Sequence, residues 1–304
     1  MNGERWLQVL IAGFGVAALL SGVRLLRAPR QRKRARAAVF AMSFVGLGLL
    51  SWARFVEPYW IETTTTHVPW KGPPLRVVLL ADLHAGRTVR EQVRETVERT
   101  NAAKPDVVVL AGDFVTGYEA DSGKLAILDE LRALAPRLGT FAVLGNHDTE
   151  PAISDEPRAD AITQHLEGLG VIVLRNAWRT VTPGVTIVGL GDYDAQDSHP
   201  WKAFKDAPEG ATLLVAHNPA SVKNTSAGRF DVALAAHTHG GQACVPFVRV
   251  CPFVHPEALP YVAGLYSLPL PAGGSLYVTR GIGESTLKAR FACRPEIAIL
   301  DLSP

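Results

Sequence analysis

The sequence is poor in cysteine and carries almost no net charge. Three cysteines are spread over 304 residues, and 31 basic residues nearly balance 29 acidic ones, which leaves a formal net charge of +2. So few cysteines exclude a small disulfide-rich scaffold, and a 47% hydrophobic share excludes a disordered or collagen-like chain. Length and composition therefore predict one large domain or two small ones around a hydrophobic core.

The balanced total hides one strongly basic segment that contains no acidic residue. Seven of the thirteen residues at positions 24–36 are Arg or Lys. A nucleic-acid-binding protein has an excess of basic residues over its folded part, whereas the rest of this chain outside the segment is slightly acidic. We therefore expect no nucleic-acid binding.

Two uncharged hydrophobic runs flank the basic segment. Residues 6–23 and 37–53 each approach the roughly 17 to 25 residues that a membrane-spanning helix needs. No A-x-A cleavage pattern closes the first run, which argues against a signal peptide, and buried core helices are the other alternative. We interpret residues 1–56 as a transmembrane helical hairpin. The basic loop then stays in the cytoplasm, and the chain after residue 54 lies outside it.

From about residue 59 the sequence alternates short apolar runs with amphipathic helical periods. Apolar residues recur at helical spacing in three segments, at residues 89–97, 125–134 and 162–169. The alternation predicts a layered α/β fold with mixed sheets covered by helices. Residues 57–74 fit either a linker or a strand leading into the domain. The runs that predict strands are at residues 75–81, 106–111, 141–144, 171–174, 185–190, 211–216, 231–235, 275–279 and 296–302.

Potential metal ligands follow directly after five of these predicted strands. The carboxyl ends of strands in an open α/β sheet gather at one crevice, so separated positions can converge there. Imidazole, carboxylate and amide oxygen donors suit first-row divalent metals, and a shared Asp can hold two ions about 3.5 to 4 Å apart. Such a pair binds a phosphate ester and activates a bridging hydroxide for attack on phosphorus. The residues are Asp82, His84, Asp113, Asn146, His147, Asp148, His217, His237 and His239.

In order and spacing, these positions resemble the signatures of the calcineurin-like metallophosphoesterase family. The matching motifs are D-x-H at residues 82–84, G-D at 112–113, G-N-H-D at 145–148, the single His217, and H-x-H at 237–239. Residues 236–242 and 293–297 are similar to the membrane-attached bacterial phosphodiesterase branch. That branch is related to the pyrophosphatase that cleaves UDP-diacylglucosamine in the lipid A pathway. The resemblance implies a four-layer sandwich of two mixed β-sheets flanked by helices in residues 75–304.

The resemblance also implies a role for each matching residue. Asp82, His84 and His239 would hold one divalent metal ion, and Asn146, His217 and His237 would hold a second. Asp113 would bridge the two ions. The nitrogen and oxygen ligands accept Mn, Fe, Zn, Ni or Co.

Four further residues concern the reaction itself. His147 would protonate the leaving group or stabilise transition-state charge, and Asn146 would also contact the phosphoryl oxygen. Asp148 either orients His147 or is a simple turn or cap residue. Arg280 either reaches the substrate phosphate or forms a surface salt bridge.

Two positions depart from the pattern of the family. Thr116 occupies the second acidic place of a G-D-x-x-D motif, so any orienting role of that Asp must be supplied elsewhere. Ala236 stands where a Gly usually precedes the H-x-H motif. Neither change removes a metal ligand.

The segment after the H-x-H motif contains two cysteines and many apolar residues. Outside the cytoplasm, Cys244 and Cys251 are able to form a disulfide, and two buried thiols are the alternative. Residues 245–272, which include Phe247 and Phe253, form either a loop packed on the core or an apolar rim that admits acyl chains.

The sequence thus predicts a multi-pass protein of the bacterial inner (cell) membrane with its catalytic domain on the periplasmic or extracellular side. Its expected activity is dinuclear metal-dependent hydrolysis of a phosphodiester or pyrophosphate, including lipid-linked substrates. One alternative is a UDP-2,3-diacylglucosamine pyrophosphatase, whose nucleotide-linked substrate is cytoplasmic. Another is a non-catalytic scaffold, which is disfavoured because every expected metal-binding position is filled. The sequence does not define an oligomeric state.

Overall fold

Two N-terminal helices precede the mixed α/β part of the chain in a computed structural model. The structure describes residues 3–26, 33–117, 122–149, 156–223, 225, 229–246, 251, 252, 254, 256–268, 274–285 and 287–304. Helix α1 spans Gly3–Leu26 and helix α2 spans Lys33–Phe55. A Cβ atom at Gly46 would lie 2.7 Å from the Phe14 ring, so the missing side chain lets the two helices pack closely.

Within the described residues, one helical stretch is long and apolar enough to cross a membrane. This stretch is Arg34–Tyr59, whereas Ala12–Arg24 is apolar but shorter. Residues 27–32, in the middle of the predicted basic loop, lie outside the described residues. The transmembrane hairpin therefore stays a prediction, although two packed helices occupy its position.

The described part of the chain contains twelve strands in two six-stranded sheets. The first sheet has the order β1-β12-β2-β3-β4-β5, and the second has the order β10-β11-β9-β8-β7-β6. Both are mixed, because β12 runs antiparallel to β2 and β6 and β10 run antiparallel to their neighbours. The strands are β1 (Glu62–Pro69), β2 (Leu75–Leu80), β3 (Val107–Ala111), β4 (Gly139–Val143), β5 (Val171–Val173), β6 (Ala177–Thr182), β7 (Val185–Gly189), β8 (Ala211–Val215), β9 (Val232–Ala235), β10 (Gly264–Ser267), β11 (Ser275–Val278) and β12 (Glu296–Ser303).

The two sheets pack face to face, and helices cover both outer faces. Buried apolar side chains such as Leu79 and Val109 of the first sheet meet Ile187 and Leu234 of the second. A second cluster joins the first sheet to three helices, and a third joins the second sheet to two short ones. This gives the expected α/β architecture. The helices are α3 (Arg90–Ala102), α4 (Ser122–Leu128) and α6 (Glu156–Gly168) on the first sheet, α7 (Pro200–Ala203) and α8 (Ala220–Lys223) on the second, and α5 (Asn146–Thr149) after β4.

All nine predicted strands are present, with ends shifted by one or two residues. Two strands were not predicted: Ala177–Thr182 and Gly264–Ser267, both of which are largely half-buried or exposed. Glu62–Pro69, in the segment that fitted a linker or a strand, pairs in parallel with β12. The predicted helix at residues 125–134 is divided into α4 and a 3-10 helix, Asp129–Ala133.

The segment after the H-x-H motif is partly described. Cys244 and Cys251 are joined by a disulfide, and Cys293 is a buried free thiol. The described part of residues 245–272 contains β10 and the short 3-10 helix Pro256–Ala258. Phe247 and Phe253, which belonged to the predicted apolar segment, lie outside the described residues.

The contact between the two sheets makes a testable prediction about stability. Leu79→Ala is expected to lower the free energy of unfolding by about 2 to 5 kcal/mol, because it leaves a cavity between the sheets. Urea denaturation of the full chain in detergent measures the change. Leu265→Ala is the matched control, since Leu265 is 41% exposed, and it should cost less than half as much. Equal losses in the two variants would contradict the packing described above.

Candidate metal centre

The ends of five strands bring the predicted ligand residues together. Several of these residues adopt the left-handed backbone conformation, which is uncommon for residues other than glycine. The backbone turns sharply at these positions, immediately after the strands, and the surrounding structure must hold it there. The φ angles are 53° at Asp82, 47° at His84, 58° at Asp113, 69° at His237 and 50° at His239.

One group of donors lies at the ends of β2, β3 and β9. The ligand atoms of Asp82, His84, Asp113 and His239 all lie within 4.8 Å of one another, and all four residues are buried. The Nε2 atoms of His84 and His239 are 3.1 Å apart. A separation this short between ring nitrogens suits a shared metal ion, because both atoms are candidate ligands.

A second group of donors lies beside the first. The Oδ1 atom of Asn146 is 2.9 Å from Nδ1 of His237 and 3.1 Å from Nε2 of His217. The two imidazole nitrogens are themselves 3.3 Å apart. Three potential ligand atoms from α5, β8 and β9 therefore point toward one position.

The carboxylate of Asp113 lies between the two groups. Its Oδ2 atom is 3.3 Å from Nε2 of His84, and its Oδ1 atom is 3.4 Å from Nε2 of His217. Each oxygen thus faces a different set of donors. This is the arrangement that a bridging ligand requires.

The protonation states of the first group suit a cation. Burial lowers the pKa of His84 to about 3 and holds the pKa of His239 well below its usual range, which favours the neutral ring that a metal ligand requires. Burial also raises the pKa of Asp82 to about 7. Both carboxylate oxygens of Asp82 are buried and have no hydrogen-bond partner among the described residues. A bound divalent cation would supply the missing partner, so the donor set fits the metal that the family uses.

Asp113 and His217 form a buried pair in which each residue favours the charged form of the other. Burial alone would raise the pKa of Asp113, but the charge and hydrogen bond of His217, together with His84 and His147, outweigh burial and hold that pKa well below its usual range. Correspondingly, Asp113 raises the pKa of His217 although burial opposes it. The Nδ1 atom of His217 lies 2.7 Å from the carbonyl oxygen of Ala111. An N–H at Nδ1 would donate to this oxygen, and the Nε2 atom, which faces the second group, would then be the one to bind a metal ion.

Asp148 supports the loop that carries Asp113. Its carboxylate accepts hydrogen bonds from the backbone N–H groups of Asp113, Phe114, Val115 and Gly145, at 2.8 to 3.3 Å. Burial, together with the charge of Asp113, raises the pKa of Asp148 to about 7. The sequence left two roles open for Asp148, which were to orient His147 in catalysis or to cap a turn. In the structure its carboxylate caps the neighbouring backbone, because four N–H groups donate to it.

His147 lies at the half-buried edge of the site. Its ring makes an edge contact with His84, with centroids 4.9 Å apart, and its backbone N–H donates to Oδ1 of Asp113 at 2.9 Å. Arg158 of α6, which is 5% exposed, donates to the carbonyl oxygens of His147 and Gly117. Arg158 thus joins the His147 turn to the loop where Thr116 replaces an Asp, and no sequence signal marked it.

The Arg280 side chain forms ion pairs with two carboxylates. Its Nη2 atom lies 2.8 Å from Oε2 of Glu62 and 3.4 Å from Oε1 of Glu296. The predicted contact with a substrate phosphate would require the phosphate to displace two carboxylates. The alternative, a salt bridge, is the arrangement in the structure.

Two acidic residues near the site were missed by the sequence analysis. Carboxylate oxygens of Asp194 and Glu257 each lie 3.9 Å from Nε2 of His237, on the far side of its ring. Asp192, buried in the same loop as Asp194, has its pKa raised to about 6 by burial. None of the three residues follows a predicted strand that ends in one of the five motifs, so the sequence analysis did not single them out.

Comparisons with known proteins agree with this geometry. The calcineurin-like phosphoesterase family matches residues 75–241. The chain is 34% identical over 281 residues to phosphodiesterase YaeI of Escherichia coli (strain K12), covering 90% of this chain and 98% of the relative. It is 27% identical to UDP-2,3-diacylglucosamine pyrophosphatase LpxG of Chlamydia trachomatis, covering 82% and 91% of the two chains. A transmembrane protein with metallophosphoesterase domain from Danio rerio is 28% identical, covering 82% of this chain and 58% of the relative.

The chain therefore belongs to the calcineurin-like phosphoesterase family. Membership defines it as a metal-dependent phosphoester hydrolase, which confirms the expectation from the five motifs.

The position of Asp113 makes a prediction about metal binding. Asp113→Ala is expected to remove more bound metal than any other single ligand substitution, because both donor groups lose an oxygen. Inductively coupled plasma mass spectrometry of the purified full chain measures the metal content. The matched control is Asp160→Ala, which removes an exposed carboxylate of α6. Retention of the wild-type metal content by Asp113→Ala would contradict the bridging arrangement.

Proposed function

We propose that the protein is a membrane-anchored phosphoesterase that uses two divalent metal ions to hydrolyse a phosphodiester or pyrophosphate. One observation carries this proposal: the two carboxylate oxygens of Asp113 face two different sets of donors, at 3.3 and 3.4 Å. A single carboxylate between two donor sets is the feature that distinguishes a dinuclear site from a mononuclear one.

The donor chemistry supports borderline first-row divalent ions such as Mn, Fe, Zn, Ni or Co. Asp82, His84 and His239 would hold one ion, Asn146, His217 and His237 the other, with Asp113 between them. When bound, the ions would supply a nucleophile at neutral pH and stabilise charge on the phosphoryl oxygens.

The protein's own side chains would orient the substrate and move the proton. His147, at the half-buried rim, would donate a proton to the leaving oxygen or stabilise the charge that develops on it. The hydrogen bond from the backbone N–H of His147 to Asp113 keeps the His147 ring beside the bridging carboxylate. The Asn146 amide would direct Oδ1 to a metal and keep its N–H groups for a phosphoryl oxygen.

The N-terminal helices support attachment to the cell membrane. Residues 1–56 would form two transmembrane helices, residues 57–74 would lead into the domain through β1, and residues 75–304 would form the catalytic domain. The basic loop favours a cytoplasmic position for the connection, which puts the catalytic domain on the periplasmic or extracellular side. The Cys244–Cys251 disulfide supports that oxidising location.

The similarity to relatives favours substrates in which a phosphate joins two groups. The phosphodiesterase relative supports a diester, and the LpxG relative supports a lipid-linked pyrophosphate. A UDP-2,3-diacylglucosamine pyrophosphatase is the second candidate, but its nucleotide-linked substrate requires a cytoplasmic catalytic domain. A reporter protein that works only in the cytoplasm can be fused after Pro304. Activity of this fused reporter would favour the second candidate over the first.

The role of His147 makes a prediction that separates catalysis from metal binding. His147→Ala is expected to keep both metal equivalents and to lower turnover of a diester by about 10² to 10⁴, the usual contribution of general acid catalysis. Steady-state kinetics with bis(p-nitrophenyl) phosphate and metal analysis of the same sample measure both quantities. His165→Ala is the control, because His165 pairs with Asp129 away from the site. Unchanged turnover in His147→Ala would instead support a non-catalytic scaffold.

A screen of substrates tests the wider proposal. The full chain in detergent should hydrolyse diesters or pyrophosphates faster than monoesters when Mn²⁺ is present. Lipid-linked and water-soluble members of each class should be compared in the same assay. Exclusive monoester hydrolysis would overturn the proposed substrate class while leaving the metal site intact.

A further inference from the structure

A short segment after β11 forms a wall against Asp82. We call residues 280–283 the Asp82 wall. The N–H of Ile282 donates to the carbonyl oxygen of Ala81 at 3.0 Å, and the N–H of Gly283 donates to that of Asp82 at 2.7 Å. A Cβ atom at Gly281 would lie 2.3 Å from Oδ2 of Asp82. The position of this wall therefore limits where the Asp82 carboxylate can lie.

One fully buried arginine holds the Asp82 wall. The Nη2 atom of Arg290 donates to the carbonyl oxygens of Arg280 at 2.8 Å, Gly281 at 3.3 Å and Gly283 at 2.6 Å. Its Nε atom also donates to Gly283, and its Nη1 atom donates to the carbonyl oxygen of Cys293 at 3.2 Å. Arg290 is the largest of the fully buried side chains in the described part of the chain.

The geometry of a guanidinium group explains why arginine occupies this position. Its five N–H donors point in fixed directions within one plane, so a single group can bind carbonyl oxygens from both sides of a loop. Lysine offers three donors from one nitrogen atom on a flexible stem and cannot reproduce this pattern. Burying the charge is costly, which indicates that the hydrogen bonds to the wall offset the lost hydration.

The C-terminal end of α2 docks on the residues around Arg290. The backbone N–H of Arg290 donates to the carbonyl oxygen of Ala53 in the last turn of α2, at 2.9 Å. Carbonyl groups at the end of a helix have no partner within the helix, so this bond caps one of them. The side chains of Ala53 and Ala289 are both buried at this contact.

A buried glutamate makes a second connection between α2 and the segment. Glu57, which is 4% exposed, accepts a hydrogen bond from the backbone N–H of Cys293 on Oε1 at 2.6 Å. Its Oε2 atom accepts from Nε1 of Trp52, in α2, at 3.0 Å. One carboxylate thus joins the end of the helix to the residues that follow Arg290.

We propose that Arg290 is a positioning residue for Asp82, and that it couples the docking of α2 to the geometry of the metal centre. This inference rests on the proposed function, because it assigns Asp82 to a metal ion. Loss of the contacts at Ala53 and Glu57 would let the segment around Arg290 shift. The donor group that contains Asp82 would then bind its ion more weakly, and the group around His217 would not.

The first test is the Mn²⁺ affinity of Arg290→Lys in the full chain in detergent, measured by isothermal titration calorimetry. The Mn²⁺ affinity of one of the two binding equivalents is expected to fall by about 10- to 100-fold, the usual effect of removing a group that supports a metal ligand. Arg76→Lys is the matched control, because Arg76 pairs with the partly exposed Asp301 away from the site. General destabilisation would weaken both equivalents, so the selective loss is the distinguishing result.

The second test concerns the coupling to α2. Glu57→Gln replaces one of the two acceptor oxygens by an NH₂ group, so either the N–H of Cys293 or that of Trp52 loses its acceptor. Trp52→Phe removes the indole donor. Each is expected to weaken the same Mn²⁺ equivalent by about 2- to 30-fold, and the double variant by less than the product of the two effects. Trp201→Phe is the control, because Trp201 is 73% exposed. If Arg290→Lys does not fold, these two variants decide the question.

The outcomes separate this inference from the function on which it rests. Absence of Mn²⁺ binding by the wild-type chain would overturn both. Two bound equivalents in the wild type, with unchanged affinities in Arg290→Lys, Glu57→Gln and Trp52→Phe, would overturn the positioning role alone. Equal weakening of both equivalents would also overturn it, since that result means a general loss of structure.

Discussion

The buried carboxylate of Asp113 is the constraint on which the arrangement of the site depends. Its two oxygens face donors from opposite sides, and one of them also accepts the backbone N–H of His147. A buried carboxylate without compensating positive charge is unstable, so the groups around it must be fixed. Asp148 provides part of this rigidity, because it binds the backbone of the loop that carries Asp113. Bridging geometry, loop conformation and the position of His147 are therefore parts of one network.

The fold supplies this network through the ends of its strands. The inner strands of both sheets are covered on both faces by apolar clusters, and the loops after their carboxyl ends carry the polar ligand residues. Left-handed conformations at Asp82, His84 and Asp113 turn the chain immediately after β2 and β3. Such conformations are costly for residues with a Cβ, and the packed sandwich keeps them in place. The rigidity of the core is thus what lets a strained ligand loop persist.

Much of the fold and of the donor set could be predicted from the sequence, because each depends on local pattern. Buried strands are continuous apolar runs, and the ligands follow them at once, so strand ends and site residues were found together. β6 and β10 were missed because none of their residues is fully buried and the apolar signal is weak. Arg158 and Arg290 were missed for another reason. Their hydrogen bonds go to backbone carbonyl oxygens, which every residue type carries, so no residue pattern encodes these contacts.

The order of strands in the first sheet has a consequence for biosynthesis. β12 lies between β1 and β2, although it is the last of the described strands to leave the ribosome. Until Ser303 has been synthesised, the sheet lacks strand β12. The edge of β2 that pairs with β12 then has no partner strand, and β2 is the strand that leads to Asp82. A nascent chain that lacks β12 thus has an incomplete first sheet next to the strand that leads to Asp82. The position of β12 thus ties the support of the Asp82 loop to the synthesis of the last described strand.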